Sequence, residues 1–298
     1  MTTASNYSTY LKKVEQAFQV QADKPEETPK AILHALWSLA QGVQLSVFAA
    51  NNIELNELTS EEAQLLDKNL EIWAAGEPIA YLTERQHFCG LELKVSRDAL
   101  IPRSETELLA NAVLQKLSGL DNSKPLVLDV CTGCGNLALA YKHKKPDASV
   151  YAADLSDEAI SLAKENADFV GLSQDVSFFS GDLFEPFNND DFLKKVDIIS
   201  CNPPYISSKK VPEMPKAISD FEPSMAFDGG PFGISILQRV MSEAPNYLRE
   251  NGWLVFEVGA GQGPSIAKML NRNDAYQALE MIEDKEGVVR VIAVQKVG

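Results

Sequence analysis

Leu126-Val127-Leu128-Asp129-Val130-Cys131-Thr132-Gly133-Cys134-Gly135 decides the fold, because an apolar strand runs straight into a glycine turn and Asn136 to Lys145 continues at helical spacing. In an open α/β sheet that turn lies at the carboxyl end of a strand, where ligands bind. Its glycines let backbone approach a ligand, and the helix behind it offers free N–H groups. The same rhythm continues downstream. Ser149 to Ala153, Val176 to Phe179, Val196 to Cys201, Trp253 to Val258 and Val288 to Val294 read as strands, with helices over Asp157 to Val170 and Ile234 to Glu250. Such alternation predicts an α/β fold, a mostly parallel sheet with helices on both faces.

Upstream the pattern is helical. Tyr7, Leu11, Val14 and Phe18 form one stripe, and Ile32, Leu33, Leu36, Trp37 and Ala40 another. Thr28 before Pro29 suits an N-cap and first turn, and Thr59 with Glu62 reads as a capping box opening a helix that carries Ala63, Leu66, Leu70 and Trp73. The Trp residues are read as core. Gly76-Glu77-Pro78 stops the helices, and Phe88 to Val95 reads as a short hairpin about Cys89-Gly90. The expected organisation is a helical domain over 1–80, a β-hairpin linker over 81–105 and an α/β domain over 106–298.

With 298 residues, 45% of them hydrophobic, the chain can bury such a core. A formal net charge of −15 argues against direct nucleic-acid binding, which needs a basic face. Among the four cysteines, Cys89, Cys131, Cys134 and Cys201, there is one C-x-x-C pair, with no second pair and no histidine cluster to complete a zinc site, so no metal is expected. The opening Met1 to Tyr10 is polar, and no window reaches the ~18 apolar residues of a membrane span. A cytoplasmic protein with reduced thiols is expected, with no membrane partner.

The turn has only Gly133 and Gly135, short of the G-x-G-x-x-G dinucleotide pattern, and no lysine or arginine stands near it to meet a pyrophosphate. Asp154, ending the second strand, is placed to accept ribose hydroxyls. After the third strand, Asp182 could accept an adenine amino group and Leu183 cover the ring. Any one of these Asp residues could equally be a helix N-cap. Asp129, the turn Cys131, Thr132, Gly133, Cys134 and Gly135, and then Asp154, Asp182 and Leu183 together describe a site for a nucleoside without phosphate.

The fourth strand ends in Asn202-Pro203-Pro204-Tyr205. Two prolines fix φ and hold Asn202 extended, which makes a stiff loop beside the nucleoside. A planar nitrogen is a poor nucleophile, and it attacks only if its hydrogens are held and its lone pair aimed. The Asn202 side-chain carbonyl and the Pro203 carbonyl can accept those N–H groups while Tyr205 covers the planar face. The pattern points to methyl transfer from S-adenosyl-L-methionine to an amide or exocyclic nitrogen, with Asn202, Pro203, Pro204 and Tyr205 as the catalytic set. Asn202 also borders the cofactor.

With those residues, the sequence resembles the PrmC/HemK family, glutamine N5-methyltransferases that modify the Gly-Gly-Gln motif of peptide-chain release factors. The likeness runs over nearly the whole chain: Gly76 to Thr83, Leu100-Ile101-Pro102-Arg103, Glu105-Thr106-Glu107, Asn202 to Tyr205, Phe221-Glu222-Pro223 and Gly287 to Val291. It implies a Rossmann-like class I methyltransferase sheet behind a small N-terminal helical domain that docks the substrate, a release factor as partner, and a monomer. The family usually has proline at Ser104, glycine at Cys131 and a small residue at Cys134. Phe88-Cys89-Gly90, Pro102-Arg103-Ser104 and Cys131-Thr132-Gly133 look closer to the glutamine methyltransferases of ribosomal protein L3, which stay as an alternative. Amino methylation of a nucleic-acid base is another, against which the net charge counts. A non-catalytic module that kept the fold is a third, which intact Asp129, Asp154 and Asn202 to Tyr205 oppose.

Overall fold

Strands covered by helices on both sides must be apolar at every position, and the alternation of a strand then deals successive residues to opposite faces. The computed structural model, which describes residues 3–20, 24–214 and 219–298, is built on this plan. Helices α1 (Thr3–Ala17), α2 (Pro29–Ala40), α3 (Val47–Ala50), α4 (Ser60–Ala74) and α5 (Ile79–Thr83) precede a hairpin of β1 (Arg85–Phe88) and β2 (Leu91–Lys94), then α6 (Glu107–Ser118). Next come β3 (Leu126–Val130), α7 (Asn136–Lys144), β4 (Ser149–Asp154), α8 (Asp157–Phe169), β5 (Val176–Ser180) and β6 (Val196–Cys201). The chain closes with α9 (Ser235–Glu243), β7 (Leu248–Glu257), α10 (Gly263–Leu270), β8 (Tyr276–Glu283) and β9 (Val289–Lys296).

The sheet order is β5-β4-β3-β6-β7-β9-β8, and β9 pairs antiparallel with both β7 and β8 while the other pairs are parallel. Val127, Ile198, Val255 and Ala293 pack on one face with Leu109, Leu137 and Ile160 of α6, α7 and α8. Their neighbours Leu128, Ile199, Leu254 and Val294 pack on the other with Leu237 of α9 and Ile266 of α10.

The helical front has a separate cluster in which Val14, Leu36, Trp37, Leu66 and Leu70 meet. Both expected caps are present: the Thr28 side chain accepts from the Ala31 N–H, and Thr59 and Glu62 close a capping box. The polar opening is described from Thr3 onward; Met1 and Thr2 lie outside the described residues. The hairpin turns on Cys89 and Gly90, both left-handed at φ 50° and 90°, as a tight two-residue turn requires, so its first strand begins at Arg85 rather than Phe88. The helix expected over Ile234 to Glu250 stops at Glu243, because Pro245 cannot donate into it, and β7 starts at Leu248, ahead of Trp253. Among the described residues no helix is long and apolar enough to cross a membrane.

Candidate active site

From β3 the chain winds outward through β4 to β5, then returns to lay β6 on the other side of β3. Winding reverses between β3 and β6, the place where open α/β sheets bind ligands. Val130 pairs with Cys201, so the glycine turn and Asn202 leave the sheet side by side. A cleft of about 1200 Å³, its open mouth included, lies over them. Cys131, Thr132, Gly133, Cys134, Asp154, Asp182 and Leu183 line one side, Asn202 and Pro204 the other. Asp129, Gly135, Pro203 and Tyr205 are not on its walls.

The turn keeps its shape through three left-handed residues, Cys131, Gly133 and Gly135, at φ 59°, 54° and 82°. A Cβ on Gly135 would stand 3.0 Å from the Phe178 ring and 3.1 Å from Ala163, so both conformation and space require glycine there. Asp154 receives the Gly133 N–H on Oδ2 at 2.8 Å and the Ser156 N–H on Oδ1 at 3.1 Å, and burial raises its pKa. Each oxygen keeps further acceptor capacity toward the cleft. Asp129 lies behind the turn, fully buried, accepting from the Thr132 hydroxyl at 2.6 Å and from the Ser200 hydroxyl. Burial pushes its carboxyl up to about 7 against the pull of those two hydroxyls. It therefore ties the turn to β6 instead of facing a ligand. Asp182 is already engaged, since Arg239 Nη1 donates to its two oxygens at 2.9 and 3.0 Å.

The buried Cys134 thiol is pushed up to about 12 by burial, so it is neutral. Among the described residues no group of three or more His, Cys, Asp or Glu could hold a metal. Four carboxylates, Asp98, Asp154, Asp182 and Asp228, line the cleft with one guanidinium, Arg103, which is itself paired with Glu222. That donor set fits a cationic nucleoside and repels a phosphate.

The Asn202 side is held by distant segments. Its Nδ2 donates to Thr106 Oγ1 at 3.2 Å. The Tyr205 phenol donates to Glu257 Oε1 at 3.2 Å, so Tyr205 points into the protein and anchors the loop. Burial pushes the Glu257 carboxyl up to about 7, opposed by the Thr106 hydroxyl, Arg290 and Tyr205. Gln262 Nε2 donates to the Tyr205 carbonyl at 2.9 Å and the Gly233 carbonyl at 3.1 Å, while its Oε1 accepts from the Gly259 N–H at 2.9 Å. Across the mouth, Glu222 accepts from the Ile101 N–H at 3.0 Å and pairs with Arg103, joining the two segments that overhang the cleft. Thr106 and Glu222 stand in motifs recognisable in the sequence, as do their partners Asn202, Ile101 and Arg103, but which motif meets which is not written there. Glu257 and Gln262 carry no local sequence signal at all.

A sheet wound in this order, with a glycine turn, a ribose-height carboxylate and an Asn-Pro-Pro-Tyr loop at its switch point, defines an S-adenosylmethionine-dependent methyltransferase. The N-terminal domain of human METTL16 in complex with SAH shares the fold at 13% identity and a TM-score of 0.53, covering 93% of this chain and 98% of that one. Residues 104–218 match the methyltransferase small domain family. The release factor glutamine methyltransferase of Thermodesulfovibrio yellowstonii is 31% identical over 261 residues, 86% of this chain and 91% of its own length. That of Moorella thermoacetica is 36% identical over 214 residues, 72% of this chain and 73% of its own. The chain belongs to the release factor glutamine methyltransferase family.

Proposed function

We propose that the chain transfers a methyl group to the side-chain nitrogen of the glutamine in the Gly-Gly-Gln motif of a peptide-chain release factor. One observation carries the reading: the Asn202 amide, its NH₂ engaged by Thr106, lies in the same cleft as Gly133 and Asp154. Its carbonyl is left to accept an N–H from an incoming amide, while Pro203, behind the lining, stiffens the loop that presents it. Holding that hydrogen orients the nitrogen toward the cofactor side of the cleft and freezes the approach.

S-adenosylmethionine, when bound, supplies a methyl group on a positive sulfonium, so the nitrogen needs no strong base. The turn from Cys131 to Gly135, Asp154 and Leu183 would hold it, Asp154 through the ribose hydroxyls and Leu183 against the adenine. Asp182 would reach the adenine amino group from its pair with Arg239, and Asp129 with Thr132 keeps the turn in shape. Asn202 and Pro204 face the acceptor, and Tyr205 keeps the loop seated. The proton lost by the nitrogen leaves to solvent through the cleft mouth.

In this reading residues 1–80 dock the acceptor protein, 81–105 link the two parts, and 106–298 carry the reaction. The chain acts as a cytoplasmic monomer on protein, not nucleic acid, in keeping with its net charge of −15. Offering purified chain and methyl-labelled cofactor separately to a release factor, ribosomal protein L3 and RNA tests this. Label entering the release factor supports it, and label entering only L3 or RNA overturns it.

A further inference from the structure

A ligand held by a backbone turn stays held only if the peptide planes of that turn cannot swing, and the plane between two left-handed glycines, Gly133 and Gly135, needs an outside hold. We propose that Asn166 is a positioning residue for the cofactor, which locks the Cys134–Gly135 peptide from behind the turn and fastens the hairpin linker to it; the inference rests on the reading that S-adenosylmethionine lies on Cys131 to Gly135.

Asn166 stands on α8, fully buried and off the cleft walls. Its Oδ1 accepts the Lys94 N–H at 2.7 Å, while its Nδ2 donates to the Lys94 carbonyl at 3.0 Å and to the Cys134 carbonyl at 3.1 Å. A backbone N–H only donates and a carbonyl only accepts, so these partners fix which way round the amide stands. Lys94 ends β2, which pairs with β1. The next N–H, that of Val95, meets the Glu84 carbonyl at 3.3 Å on the β1 side, and Lys94 faces the other way. Asn166 therefore closes the outer edge of the hairpin as a neighbouring strand would. Its third bond reaches the cofactor side. The Cys134 carbonyl shares a peptide with the Gly135 N–H, which donates to the Thr132 carbonyl at 2.9 Å, so this plane is held at both ends. Gly133, just before it, is held through its N–H by Asp154 at 2.8 Å. Further along the linker, Ala99 packs in one cluster with Cys134, Ala159 and Leu162 and lines the cleft. The linker is thus pinned to the cofactor turn twice, by hydrogen bonds through Asn166 and by apolar contact through Ala99. Without the Asn166 NH₂ the Cys134 carbonyl loses its hold and the turn loses one of the bonds that aim it.

The test uses the full chain with S-adenosylhomocysteine as the binding probe, so that nothing turns over. Asn166→Ala removes all three bonds. Asn166→Asp keeps the shape and the oxygen that faces the Lys94 N–H, and loses the NH₂ that holds the Cys134 carbonyl. Calorimetry should find the probe bound about tenfold more weakly by both variants, the scale of a buried carbonyl deprived of its partner. Hydrogen exchange in the cofactor-free chain should run faster at the Gly135 amide in both, and at the Lys94 amide only in Asn166→Ala. With cofactor saturating, kcat and the KM for the acceptor should match wild type, a split that a general loss of stability would not give. In the wild-type chain the probe should shift the Asn166 side-chain NH₂ resonance, a reading that needs no variant. Wild-type affinity in a folded Asn166→Ala or Asn166→Asp chain, or an unmoved Asn166 resonance, would overturn the inference. Failure of the site reading would look different: Asp154→Ala would bind the probe as tightly as wild type, while the Gly135 amide still exchanged faster in both Asn166 variants.

Discussion

The two walls of the cleft are built on opposite plans. On the glycine side the cleft is lined by the backbone of the turn and two carboxylates, Asp154 and Asp182, and Asp129 behind it, with the hydroxyls of Thr132 and Ser200, holds that backbone in shape. On the Asn202 side the cleft is lined by a side-chain amide, and Thr106, Glu257 and Gln262 reach it or its loop from far along the sequence. The first wall centres on one continuous turn, Cys131 to Gly135, in which Cys131 is left-handed at φ 59°. The second is assembled at long range, so substitutions that touch no ligand should still disturb transfer.

The largest effect should come from Asn202. Asn202→Ala is expected to lower turnover by about 10²-fold or more, the scale of lost orientation, while calorimetry finds most cofactor affinity intact. Asn202→Asp sharpens this, because an acceptor oxygen survives while a negative charge favours the cationic ground state over the charge-dispersed transition state. Wild-type rates in either variant would erase the distinction between the walls.

Asp154→Ala should do the reverse, weakening cofactor binding by roughly 2 to 3 kcal/mol, the scale of hydrogen bonds to a charged group. Unchanged calorimetric affinity in a folded Asp154→Ala protein would remove Asp154 from the binding wall.

Gly229→Ala probes support from behind. The new Cβ would stand 2.6 Å from the Pro204 carbonyl oxygen, so the loop must move. Overpacking of this kind costs about 1 to 3 kcal/mol. Slower transfer with unchanged cofactor affinity is expected, and weakened cofactor binding with normal turnover would mean the walls are not independent.

The smallest effect tests what the walls share, a buried carboxyl behind each. Asp129 and Glu257 both have folded pKa values raised by burial to about 7. The folded state therefore holds these protons more tightly than the unfolded chain. The stability each contributes is full below the ordinary carboxylate range and is lost as pH rises through about 7, with a slope of at most about 1.4 kcal/mol per pH unit per group. Glu257→Gln and Asp129→Asn should each flatten the fall in melting temperature across that range, and slopes equal to wild type would contradict the burial argument.

The glycine wall was legible because the signals that announce it are local: an apolar strand, two glycines and an acidic residue at the next strand end. Asn202 was legible for the same reason, since the prolines beside it announce a stiff loop. Its supports were not, because a hydrogen bond between Tyr205 and Glu257 leaves no mark within either segment. Nor could the sequence show that Asp129 turns inward to hydroxyls while Asp154 stays on the wall, or that Arg239 already holds Asp182. Strand β8 escaped notice as an edge strand, mostly exposed, whose alternation is broken where the register shifts between Gln277 and Glu280 around left-handed Ala278. Cys131 shows the converse. Its left-handed backbone is what glycine would favour, so the family's usual residue there has a conformational cause.

The most direct measurement is tandem mass spectrometry of a release factor digested after incubation with the full chain and S-adenosylmethionine. The expected result is a single methyl group on the side-chain nitrogen of the Gly-Gly-Gln glutamine, missing when Asn202→Ala replaces the wild-type chain. An unmodified glutamine, or a methyl group on any other residue, would contradict the account.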